Sequence, residues 1–141
     1  MRILAVSAAT LVVLAALAVS AVALLPQLSA ASPITVEGSV TVRGDRPAVL
    51  TENELTCTTG GGYNDIRQGA QVVVTDAAGK TIALGQLGAG SWKRDTGCIF
   101  LFTVADVPAG EKFYGIEVSH RGRVQYTAAQ VSAPVELSIG G

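Results

Sequence analysis

Histidine, tryptophan and methionine each occur once in these 141 residues, cysteine occurs twice, and aromatic residues make up only 5% of the chain. These scarcities exclude several chemistries at once. Two cysteines outside any CxxC pair and one distant histidine cannot complete a tetrahedral zinc site. A Ser/His/Asp arrangement would have to use His120, which lies in Ser119-His120-Arg121-Gly122. That run reads as a solvated hairpin tip with no activated nucleophile beside the imidazole. Charged residues are 15% of the chain, the formal net charge is −1, and acids and bases are interspersed. With no basic stripe to neutralise phosphates, nucleic acid is not an expected partner. No acidic run, low-complexity tract or solenoid repeat is present. The sequence therefore assigns no catalytic residue, no cofactor and no metal.

Apolar residues are plentiful, and they concentrate at the N-terminus. Residues 3–25 run without a charge behind Met1-Arg2. At about 1.5 Å per residue such a helix covers the roughly 30 Å of bilayer hydrocarbon. Arg2 and the α-amino group favour a cytoplasmic N-terminus, which places the remainder outside. Pro26 ends the helix, and Ser29-Ala30-Ala31 supplies the small residues of a signal-peptidase site. Residues 1–31 are thus a signal peptide cleaved after Ala31 or, because the apolar run is longer than an ordinary signal core, a retained signal anchor that contacts the membrane. Residues 32–141 form an extracytoplasmic domain.

In that domain the hydrophobic period is two. Ile34, Val36, Val40 and Val42 alternate with polar residues, with Gly38 marking a bulge or close packing. A turn follows at 43–47, where Arg43-Gly44-Asp45 is ordinary turn chemistry rather than an integrin motif. Residues 48–55 suggest a weak strand, and 56–68 a glycine-rich loop with little apolar surface of its own. Segments 71–76 and 81–87 form a hairpin, 88–97 a second loop, and 98–104 the most apolar and central strand. A second hairpin joins 113–119 to 123–129, and 135–139 closes the domain. No segment has a helical period long enough to cover a sheet. The expected fold is all-β, a seven-stranded antiparallel Ig-like or prealbumin-like sandwich behind an N-terminal hydrophobic helix. Its expected core is Val36, Val40, Val72, Val74, Ile82, Leu84, Phe100, Phe102, Tyr114, Ile116, Val118, Val124, Tyr126 and Leu137.

Outside the cytoplasm, an even pair of cysteines is most simply a disulfide, Cys57 to Cys98. It would close a loop of about 40 residues and contribute roughly 4 kcal/mol. The bridge should hold the 56–68 loop near the central strand and beside the 88–97 loop. Tyr63 on the first loop and Trp92, Lys93 and Arg94 on the second then make an aromatic and cationic cluster suited to recognition. Alternatively, Trp92 folds back to cap an open end of the sandwich. The run Thr59-Gly60-Gly61-Gly62-Tyr63 lacks the Lys-Ser/Thr and the helix of a phosphate loop. Asn64, Asp65 and Asp95 could offer oxygens to calcium, but no spaced Asp ladder supports them.

The segments Val36-Glu37-Gly38-Ser39-Val40, Gly69 to Val74 with Asp76 and Gly79, Phe100-Leu101-Phe102, Val107-Pro108-Ala109-Gly110 and Tyr114 to Val118 with Gly122 carry a resemblance. In that order they resemble the carboxypeptidase-regulatory-like and transthyretin-like β-sandwiches across most of the exported region. The cysteine pair, Tyr63-Asn64-Asp65-Ile66 and Ser119 to Gly122 resemble uncharacterised exported actinobacterial proteins. Both likenesses imply an accessory module without catalytic residues.

The expected function is that of a non-enzymatic exported cell-envelope protein, binding an unknown protein or envelope component. The alternative is a membrane-anchored structural spacer or subunit of a membrane complex. The mass of the N-terminal peptide in native protein separates the two fates of the leader: it begins at Ser32 after cleavage and at Met1 in an anchored chain.

Overall fold

The computed structural model describes residues 31–43 and 56–140. The hydrophobic segment 3–25, most of the turn at 43–47 and the expected strand at 48–55 lie outside those residues. Among the described residues no helix is long and apolar enough to cross a membrane.

The domain is all-β. Eight strands are described: β1 Ile34–Val42, β2 Thr56–Cys57, β3 Gln71–Thr75, β4 Thr81–Lys93, β5 Gly97–Val107, β6 Phe113–Val118, β7 Arg123–Thr127 and β8 Val135–Ile139. They form one curled mixed sheet in the order β7-β6-β3-β4-β5-β1-β8, with β2 on the edge of β4. The expectation of a wholly antiparallel arrangement fails at β8, which runs parallel to β1 from Gly38↔Val135 to Val42↔Ile139. Between β7 and β8 the short 3₁₀ turn Gln130–Ser132 carries the buried Val131, and this crossing brings β8 in from the far side.

The 88–97 segment is the second departure. Residues 88–93 continue β4 instead of forming a loop. The first half of this strand pairs with β3 and the second half with β5. The pairing shifts register between Leu87 and Gly90, and such a bulge bends a strand and increases its twist. Gly88 and Gly90 sit at that bend. A Cβ on Gly90 would lie 2.8 Å from the Phe100 ring and would collide with the Cys57 carbonyl, so the bend requires glycine.

The same curl accounts for the errors in the expected core. Leu84 is 57% exposed and Val124 46%, and Ile82, Tyr126 and Leu137 are only partly buried. On β4 the inward residues are Ala83 and Gly85, which face the buried Val74 and Val72. Gly85 lies so close to β5 that a Cβ would be 2.7 Å from a Val104 methyl. The large side chain of Leu84 is therefore displaced to the outer face, while Ile82, the extra residue of a bulge opposite Val74 and Thr75, stays packed against the margin of the core. Val124 points inward but belongs to the edge strand β7, where the curled sheet stays open. The remaining expected core residues are buried and are joined by Val42, Cys57, Ile66, Leu87, Cys98, Val104, Val107, Val131 and Val135.

Gly38 is explained by close packing. A Cβ there would lie 2.5 Å from the Phe102 ring and 2.6 Å from the Val135 carbonyl oxygen. Tyr114, buried to 1% exposure, donates its hydroxyl proton to the Pro108 carbonyl at 3.1 Å, fixing the turn after β5.

Among the described residues one buried hydroxyl, Thr75 Oγ1, has no hydrogen-bond partner. A buried unsatisfied hydroxyl costs about 1–3 kcal/mol, and an isosteric methyl removes that cost. Thr75→Val should therefore raise the midpoint of urea unfolding, by about 1 kcal/mol of stability.

Candidate functional site

Cys57 and Cys98 are both buried and joined by a disulfide, with Cα atoms 5.9 Å apart. Both β2 and β5 are hydrogen-bonded to β4, where Cys57 pairs with Gly90 and Cys98 with Trp92, so the bridge links the two strands across β4. It also anchors the start of the 56–68 loop, as the cysteine count suggested.

Beyond Cys57 the loop is more ordered and more apolar than its composition implies. Ile66 is completely buried in the core, worth about 2 kcal/mol by area. The Thr59 hydroxyl lies 2.7 Å from the Tyr63 carbonyl and 2.5 Å from the Ile66 carbonyl, holding the loop on itself. A hydrophobic residue flanked by Asp65 and Arg67 gave no periodicity to follow, which is why Ile66 was missed.

A clamp then joins this loop to the β6–β7 tip. Arg121 Nε donates to Asp65 Oδ2 at 2.7 Å, and its terminal nitrogen bonds Asp65 Oδ1 and the Gly62 carbonyl. The guanidinium lies over the Tyr63 ring at 5.0 Å, within cation–π range. Ser119 Oγ donates to the Asp65 carbonyl at 3.1 Å. The hydrogen bonds from Arg121 hold the Asp65 carboxyl down at about 2, from an ordinary 3.8. Ser119 and His120 both adopt positive φ, 49° and 60°, as the central pair of a tight hairpin turn does. The clamp supports this otherwise costly geometry.

His120 is exposed, with its Nδ1 3.4 Å from Glu117 Oε1. The groups a hydrolase would need are thus adjacent but already engaged: Ser119 by a backbone carbonyl, Asp65 by Arg121. The same engagement removes Asp65 from any calcium site, and Asp95 sits in the β4–β5 turn with φ of 63°. Among the described residues no cluster of three or more His, Cys, Asp or Glu could hold a metal.

The four expected recognition residues are divided by the pleat. Trp92, Cys98, Val42 and Ile139 oppose one another across β4, β5, β1 and β8, so they form one inward row at the end of the sheet. Trp92 is half-buried against the core, and its capping role is the one the structure supports. Tyr63 also packs on the core, near the other end of that row: a Cβ on Gly140 would lie 3.0 Å from its hydroxyl. Lys93 follows Trp92 on a strand and therefore projects to the opposite face. Arg94 is exposed in the following turn, closed by Thr96 N–H donating to the Lys93 carbonyl at 3.1 Å. The sequence placed Arg43 only in an ordinary turn, not at a binding site. It is exposed and emerges beside Gly97, its Cα 3.4 Å from the position of a Cβ on that glycine.

No known protein family, curated protein or solved structure matches this chain.

The clamp has a defined pH signature. A depressed carboxyl pKa contributes stability fully above the unfolded value of 3.8, and that contribution fades as pH falls through the folded value of about 2. Asp65 is partly exposed, so its screened contribution is on the order of 1 kcal/mol. In denaturant titrations, Asp65→Asn should be less stable than the native protein at neutral pH by about that amount. The gap should close between pH 3.8 and pH 2.

Proposed function

We propose that this protein is a non-enzymatic, exported module of the cell envelope that binds an envelope component. It acts through the sheet end bearing Trp92, Tyr63 and the cations Arg43, Lys93 and Arg94. The observation that carries this reading is the pairing of a rigid base with free charge. The disulfide and the Trp92–Ile139 row fix the strand ends, while the side chains of the three cations that project from them have no hydrogen bond or ion pair among the described residues. Rigid scaffolds with charged, unengaged residues at one end are where recognition is ordinarily placed.

Two further points support it. The engagement of Ser119 and Asp65 in the clamp favours binding over catalysis. The transthyretin-like resemblance, an argument from fold analogy alone, suggests the same accessory role.

Tyr63 and Trp92 support the site from below, so truncating them would disturb the core and confuse the test. Charge reversal at exposed positions is cleaner. Full-length protein carrying Lys93→Glu and Arg94→Glu should keep the native unfolding midpoint within about 0.5 kcal/mol. It should also fail to co-sediment with insoluble envelope fragments that retain the native protein. Undiminished co-sedimentation would favour the structural-spacer role.

A further inference from the structure

We infer that the cationic end of the outer sheet face is a phosphate-binding site, which engages phosphate groups carried along an anionic envelope polymer. This rests on the reading that the same end is the binding end, and adds the chemistry of the ligand.

Lys93 pairs with Gly97 across β4 and β5, and Arg43 emerges on the other side of Gly97 at the end of β1. Two strand spacings of about 4.8 Å separate the two cations, or about 10 Å between Cα atoms. The residue between them has no side chain. Gly97 must be glycine because its φ is 122° and the Val42 carbonyl occupies the space a Cβ would need. Gly97 is itself buried, so an Arg and a Lys flank it with no side chain between them, both with stems long enough to lean together above it. Arg94 adds a third charge from the turn. Asp95 is the single acid in that turn, leaving an excess of positive charge. Phosphate fits this set better than carboxylate because it carries more charge and more acceptor oxygens, which a guanidinium fork and an ammonium can share.

The rest of the face argues for a polymer. The next outward row toward the middle of the sheet is Ser91, Ile99, Thr41 and Ser138, in which three hydroxyls can donate to further oxygens of a repeating chain. Farther along, the same face ends in a groove of about 430 Å³ lined by Glu37, Ser39, Leu101, Thr103 and Glu136. Its two carboxylates repel an anion. A polyanion is therefore attracted at one end of the face and excluded from the other, which fixes where it docks.

The test uses full-length protein and three probes under identical low-salt buffer: inorganic polyphosphate, polyglutamate and vesicles of anionic phospholipid. Calorimetry should show polyphosphate binding that weakens as salt is raised. Arg43→Gln and Lys93→Gln should each weaken it about fivefold, the loss of one charge-assisted contact, while Glu37→Gln should not weaken it. Both cations are exposed, and unchanged circular dichroism and melting would verify folding. Equal binding of polyglutamate, binding to vesicles alone, or polyphosphate binding unaffected by both substitutions would overturn the inference. If polyphosphate fails to bind while Lys93→Glu with Arg94→Glu still abolishes envelope co-sedimentation, the ligand class is wrong and the binding end stands.

Discussion

The disulfide across β4 is the constraint on which the rest of the domain depends. Strands β2 and β5 both pair with β4, and in a flat sheet their residues would be about 10 Å apart. The 5.9 Å between the Cα atoms of Cys57 and Cys98 exists because the sheet folds sharply there. That fold in turn depends on Gly90, the one residue type that leaves room for the Cys57 carbonyl and the Phe100 ring. From Cys57 the chain is led directly to Ile66, whose burial seals the end of the core. The bridge thus turns a polar, glycine-rich segment into part of the packed structure, which composition alone could not have accomplished.

The other side of the molecule is held more lightly. The curl does not close: β7 and β8 are the two ends of the sheet, and a groove of about 200 Å³ lies between them, floored by Val40 and Val118. Tyr126 spans this seam, donating its hydroxyl proton to the Glu136 carbonyl at 3.3 Å, and burial raises its pKa. The Asp65–Arg121 clamp ties the β6–β7 tip to the loop that the disulfide anchors. Mechanical continuity therefore runs from the bridge through the loop and clamp to the edge of the open sheet.

Much of this was legible in the sequence, and the failures share one cause. Alternation identified β1, β3, β6, β7 and β8, and the turn from Ala77 to Lys80, with Gly79, located the first hairpin. Cysteine count gave the bridge. What alternation cannot show is curvature. Gly85 and Ala83 take the inward positions, with β5 crowding Gly85, so the larger Leu84 was assigned to the wrong face. Glycines at 88 and 90 read as a loop but serve as the bend in one long strand. Parallel pairing of β8 with β1 is set by a crossing over the sheet that local pattern does not encode. At the candidate site, Trp92 and Lys93 are neighbours in sequence yet face opposite ways, and Arg43 joined Lys93 only once the register was known.

The most direct test of this architecture compares amide hydrogen exchange in oxidised and reduced protein, residue by residue. If the bridge organises the bend, reduction should accelerate exchange in residues 56–69 and 87–93 while the β3–β6 ladder, Val72 to Thr75 against Gly115 to Val118, stays protected. Uniform acceleration across all strands, or no change at the bend, would contradict it.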